Sequence, residues 1–189
     1  LGDSRNQSMN PAVFLDRDGT LNIEKSYLCD PDKLELFEDT LTSLKRLGKA
    51  GFSLFIVTNQ SGIGRGYYTE ADMHAVNKKL CQMAAEDGIE FKEIYFAPEA
   101  PEEESYGRKP SPQFLFDAKK GHDIDLTKSY MIGDKLSDLK CGWNAGVKQS
   151  ILVKTGYGAA LTEANDVDLS KATIVASMTA ATDYILDRK

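Results

Sequence analysis

Five short apolar runs alternate with stretches of helical spacing along this chain, and that alternation restricts the fold more than any other feature. The runs are residues 12–15, 52–57, 91–96, 129–132 and 149–153. Each is bounded by turn residues and too short for a buried helix, so each reads as a buried strand. Between them, 39–50 carries Leu41, Leu44 and Leu47 at helical spacing and stops at Gly51. Residues 69–87 read as a helix capped by Thr69 and stopped by Gly88. Further helices are expected over 112–121, over 135–145 (closed by Gly146) and over 176–186. Repeated βα units build a mainly parallel sheet covered by helices on both faces, an α/β three-layer sandwich.

In such sheets ligands bind beyond the carboxyl ends of the strands, near the switch in strand order. Polar groups stand at those ends here: Asp16 and Asp18 after the first strand, Thr58-Asn59-Gln60 after the second, Asp134 after the fourth. A core strand has no need of a terminal carboxylate or hydroxyl, whereas a site does.

Each motif also has a plainer reading. Asp16-Arg17-Asp18-Gly19-Thr20 has the composition of a turn. As a loop leaving a buried strand, it can aim two carboxylates into one cavity, one to attack phosphorus and one to handle a proton. Thr58 can cap a helix, or can bind phosphate oxygens. Arg108-Lys109-Pro110 can be solvated surface, but Pro110 restricts Lys109 to extended backbone and can hold its ammonium over a site. Asp134 and Asp138 lie four apart, so both can face one cavity or complement a helix dipole. The formal net charge of −6 provides no global attraction for nucleic acid, so an anionic substrate must be met by locally concentrated cations.

The ordered set Asp-x-Asp-Gly-Thr, strand-Thr, Arg-Lys-Pro and Gly-Asp-x-x-x-Asp resembles the haloacid-dehalogenase (HAD) superfamily of phosphatases over roughly residues 10–156. That resemblance implies a HAD-like Rossmannoid fold. It implies Asp16 as nucleophile, Asp18 as general acid and then base, and Thr58 and Lys109 on the transferring oxygens. It also implies Mg²⁺ on Asp16, the backbone carbonyl of Asp18 and Asp134, with Asp138 orienting Lys109 or a metal-bound water. The run 57–66, Val-Thr-Asn-Gln-Ser-Gly-Ile-Gly-Arg-Gly, with Gly133-Asp134-Lys135, is similar to the heptose-bisphosphate and histidinol-phosphate phosphatases of subfamily IIIA. Glu24, Lys25, Ser26, Tyr27, Thr58, Asn59, Gln60, Ser61, Arg108, Lys109 and Lys135 would then line the substrate site. Arg108 and Lys135 would hold a second anionic group. The implied substrate is a heptose bisphosphate on the way to lipopolysaccharide, with histidinol phosphate or a nucleic-acid 3′-phosphate as the alternatives and a non-catalytic binding module as the outside reading.

One segment departs from that pattern. Such relatives carry a zinc loop before Arg-Lys-Pro, but residues 97–107 contain neither Cys nor His, so no structural zinc is expected. The 37 residues between Thr20 and Thr58, and the 50 between Thr58 and Lys109, leave no room for a separate cap domain. Cys29, Cys81 and Cys141 are odd in number and widely spaced, which fits free thiols in a reducing cytoplasm. No apolar run reaches membrane-spanning length. Residues 1–9 read as a disordered or expression-derived tail, and 10–189 as one domain. The expected partner is a small phosphorylated metabolite, without nucleic acid or membrane, bound by a monomer or weak dimer.

Overall fold

The computed structural model describes residues 9–164 and 167–189; the expected tail, up to residue 8, lies outside the described residues. Among the described residues, six parallel strands form one sheet: β1 (Ala12–Leu15), β2 (Ser53–Asn59), β3 (Phe91–Ala97), β4 (Tyr130–Gly133), β5 (Gln149–Val153) and β6 (Thr173–Val175). Their order is β3-β2-β1-β4-β5-β6. The chain moves outward from β1 to β3, then returns to the other side of β1 as β4, so the strand order reverses beside β1.

Among the described residues, seven α-helices connect and flank the strands: α1 (Thr40–Lys49), α2 (Ser61–Gly64), α3 (Glu70–Glu86), α4 (Gln113–His122), α5 (Leu136–Ala145), α6 (Gly158–Glu163) and α7 (Met178–Leu186). Alternate strand residues feed two cores, because successive side chains leave a strand on opposite faces. Val13, Leu15, Leu54, Ile56, Ile132 and Val153 meet Leu44 and Leu47 of α1, Leu80 and Ala84 of α3, and Ala181 and Ile185 of α7. Ala12, Phe14, Phe55, Val57 and Met131 meet Leu115 and Ala118 of α4 and Cys141 and Ala145 of α5. Burial on both faces explains why these strands read as unbroken apolar runs.

Thr69 caps α3 in a reciprocal capping box with Asp72. Gly146 ends α5 at φ +75°, the left-handed position that a glycine adopts without strain. Trp143 packs on the small cluster of Leu139, Leu152 and Leu169. The three cysteines are free thiols. Among the described residues, no helix is long and apolar enough to cross a membrane.

Four elements differ from expectation, among them α6, which no sequence signal between 153 and 176 had indicated. β2 continues through Thr58 and Asn59, whose partners are Phe96 and Ala97 of β3, so both belong to the strand and not to the loop after it. α2 was not expected, because glycine at two of its four positions opposes a helix. A Cβ at Gly62 would stand 2.1 Å from the Tyr68 ring, and one at Gly64 would stand 2.5 Å from the Ala100 nitrogen. Tertiary contact requires glycines that local propensity rejects. β6, of three residues, is too short to read as a run.

Candidate active site

The parallel register sets Leu15 opposite both Ile56 and Ile132. Asp16 therefore emerges level with Val57 and Gly133, and Thr58 and Asp134 stand one residue further along their strands. Four motifs separated by up to 118 residues meet at the carboxyl edge of the sheet, at the switch point between β1 and β4. A cavity of about 480 Å³ opens there, lined by Asp16, Asp18, Thr58, Lys109, Asp134 and Asp138. Glu24, Ser26, Tyr27, Asn59, Gln60, Ser61 and Lys135 complete much of its wall. That size suits a small metabolite.

Lys109 is the buried hub. Its Nζ lies 2.6 Å from Asp16 Oδ1, 2.7 Å from Asp138 Oδ1 and 2.7 Å from the Val57 carbonyl. Burial works against its charge, but the carboxylates of Asp138 and Asp16 outweigh it and hold the ammonium well above the ordinary lysine range. The Asn59 side chain fixes the backbone behind it, accepting from the Lys109 N–H and donating to its carbonyl. The Lys109–Pro110 peptide is cis.

Asp18 is held as an ionised carboxylate. Burial pushes its pKa up, but Arg17 and the hydrogen bonds from Asn22 and Gln60 outweigh that and place it below the usual range. Arg17, wholly buried, donates to Asp18 Oδ2 through Nε and Nη2 and to Asn77 through Nη1.

Asp16, Asp134 and Asp138 each present an oxygen within 4.8 Å of the others. Asp16 Oδ2 and Asp134 Oδ1 are buried without a hydrogen-bond partner. Orphaned buried oxygens in an acidic cluster are the donor set that a hard divalent cation satisfies, so the residues fit Mg²⁺. Burial, with the neighbouring charges of Asp16 and Asp138, pushes the Asp134 carboxyl up to about 8. Gly19 and Gly156 make room for that carboxylate, since a Cβ on either would come within 2.3 Å of Asp134 Oδ2.

An acid whose folded pKa is raised contributes stability below its ordinary value near 4 and loses it as pH rises through about 8. In EDTA the melting temperature should therefore fall by several degrees between pH 5.5 and 8.5. Mg²⁺, which favours the ionised form, should raise it more at pH 8.5 than at 5.5. An equal or larger increment at pH 5.5, measured by thermal unfolding, contradicts this reading of the acidic cluster.

Two expected substrate residues lie outside the cavity wall. Lys25 pairs with Glu35 at 2.8 Å on the surface. Arg108 donates through Nη1 to the Glu99 carbonyl at 3.1 Å and so braces the loop before it. That loop carries further polar ties: Glu103 accepts from the Ala100 N–H, Ser105 donates to Glu99, and Arg65 lies 3.8 Å from Glu102. Lys135 does reach the mouth, 3.6 Å from Glu24 and 4.8 Å from the centre of the Tyr157 ring. Burial opposes its charge, but Asp16, Asp134, Asp138 and Glu24 together keep its pKa raised.

Sequence reasoning missed Tyr68 and the segment Thr155-Gly156-Tyr157. Thr155 Oγ1 donates to the Gly19 carbonyl at 2.7 Å, and the Tyr157 N–H donates to Asp134 Oδ2 at 2.8 Å. Its position directly after the apolar run 149–153 was the available signal, since the ends of β1, β2 and β4 each carry site residues.

The parallel sheet, the strand-end carboxylates and the buried lysine define a HAD-like hydrolase, and the HAD-hydrolase-like family matches residues 106–181. The D-glycero-β-D-manno-heptose-1,7-bisphosphate 7-phosphatase of Helicobacter pylori is 43% identical over 145 residues, covering 76% of this chain and 84% of the relative. Its Escherichia coli K12 counterpart is 39% identical over 153 residues, covering 77% and 80%. The D,D-heptose 1,7-bisphosphate phosphatase of B. bronchiseptica, solved with magnesium and phosphate, superposes with a TM-score of 0.87 at 28% identity, covering 95% of this chain and 99% of that one. The chain belongs to the family of these heptose-bisphosphate phosphatases.

Proposed function

We propose that this protein hydrolyses a small sugar phosphate, D-glycero-β-D-manno-heptose 1,7-bisphosphate, at its 7-phosphate through an aspartyl-phosphate at Asp16. The observation that carries this reading is the buried Asp16 carboxylate at the base of the cavity, held by Lys109 beside Thr58, Asp18 and Asp134. The substrate assignment is supported by relatives about 40% identical that act on this bisphosphate.

Asp16 attacks phosphorus, the bond from phosphorus to the sugar oxygen breaks, and Asp18 gives a proton to that oxygen. Water then attacks the phosphoryl group, loses its proton to Asp18, and the bond to Asp16 breaks to release phosphate. Asp18 rests ionised, so its first proton must arrive with substrate, whose negative charge disfavours the carboxylate. Thr58 Oγ1 accepts from Gln60, which leaves its own hydroxyl hydrogen for a phosphoryl oxygen. Lys109 supplies positive charge to the same oxygens, and Asp138 keeps it aimed. Asp16, Asp134 and the Asp18 carbonyl would hold Mg²⁺, which would neutralise the repulsion between carboxylate and phosphate. Lys135 at the mouth meets the distal phosphate.

Phosphate release tests the assignment, with a panel of both heptose bisphosphate anomers, histidinol phosphate, hexose bisphosphates and a 3′-phosphorylated oligonucleotide. Selective release from the β-heptose bisphosphate in Mg²⁺, abolished by EDTA, is expected. A stronger preference for any other member rejects the heptose assignment.

A further inference from the structure

We propose that Tyr68 is a positioning residue whose hydroxyl, acting through the side-chain amide of Gln60, fixes Asp18 and Thr58 together for phosphoryl transfer. This rests on the roles just given to Asp18 and Thr58.

The geometry is a fork. Gln60 Nε2 donates to Asp18 Oδ2 at 3.0 Å and to Thr58 Oγ1 at 2.8 Å. Its Oε1 accepts from the Tyr68 hydroxyl at 2.6 Å. Both amide hydrogens and the carbonyl are thus used, and Gln60 is almost fully buried. The opposite amide orientation would turn Oε1 toward the Asp18 carboxylate, setting acceptor against acceptor. Donation from Tyr68 selects the orientation in which the amide serves the proton-transfer group and the phosphoryl-binding hydroxyl at once. Burial pushes the Tyr68 hydroxyl up to about 12, so it remains a donor at neutral pH.

The strut is also held in place. The Tyr68 ring lies against the backbone of Gly62, where a Cβ would stand 2.1 Å from the ring. Tyr68 is 8% exposed, so the ring can neither swing out nor hydrate freely. Among the described residues the Tyr68 hydroxyl has one hydrogen-bond partner in the catalytic set, Gln60 Oε1, so its tie to Asp18 and Thr58 passes through that amide. A phenylalanine would fill the same slot and remove the hydroxyl alone.

The test uses Tyr68→Phe, Gln60→Ala and the double variant, with kcat and KM measured on D-glycero-β-D-manno-heptose 1,7-bisphosphate and thermal unfolding alongside. Tyr68→Phe should lower kcat about tenfold, the equivalent of one positioning hydrogen bond, and leave KM and melting temperature nearly unchanged. In the Gln60→Ala background the Tyr68→Phe change should cost nothing further, because the path it acts through is gone. An equal loss in both backgrounds, a rise in KM at constant kcat, or unchanged kinetics overturns the proposal. Asp18→Asn is measured beside them: if it retains turnover, the parent reading fails, and if it does not, a failed cycle counts against Tyr68 alone.

Discussion

Asp16→Asn is expected to lower kcat by about 10⁴-fold or more while the protein keeps its fold, as loss of a covalent nucleophile does. The two effects separate because of the surroundings of Asp16. Its charge is one of those that push the Asp134 carboxyl up, so the amide relieves repulsion within the acidic cluster. Lys109 keeps Asp138 and the Val57 carbonyl as partners. Melting temperature in EDTA should therefore stay equal to wild type or rise. A fall of several degrees would mean that Asp16 contributes chiefly to structure, and near-normal turnover would exclude covalent chemistry at this position.

Lys109→Met should damage both properties. Its ammonium is the buried counter-charge to Asp16 and Asp138, and its removal leaves two carboxylates facing one another without it. Breaking such a buried arrangement costs about 3–5 kcal/mol, or roughly 10 °C in a domain of this size. The raised pKa of Lys109 makes its contribution complete at any pH below the ordinary lysine value, so the loss is fully present at pH 7. Part of it should return at pH 5, where the Asp138 carboxyl, pushed up by burial and by Asp16 and no longer held down by Lys109, takes up protons. Loss of a charge aimed at the transferring oxygens should also lower kcat about 10²–10³-fold. Thermal unfolding at both pH values checks the first effect, and a melting temperature within a degree or two of wild type at pH 7 would contradict it.

The parts of this arrangement that could be read from the sequence are those where strand and site coincide. Apolar runs that halt at Asp16 and Asp134 state both where a strand ends and what stands there; the run before Thr58 marks the site residue but not the end of β2, which continues to Asn59, and parallel pairing then levels the ends without further information. Lys109 was legible through its neighbours Arg108 and Pro110, although nothing local revealed that it would lie between two carboxylates. Tyr68 lies eight residues beyond Gln60 and meets it only because Gly62 leaves a gap for its ring. No helical or strand period encodes that contact. The 155–157 segment reaches Gly19 and Asp134 across the sheet edge, and its sequence carries no charge to betray the approach. Arg108 and Lys25 show the converse: basic residues beside a site find nearer partners in the Glu99 carbonyl and Glu35.

The central claim is a covalent phosphoryl-enzyme, and the stereochemical course at phosphorus tests it most directly. A sugar phosphorothioate made chiral at phosphorus with oxygen isotopes would be hydrolysed in isotopically labelled water. Each in-line displacement inverts phosphorus, so passage through Asp16 and then to water predicts net retention. Net inversion would mean that water attacks the substrate directly and would contradict the account.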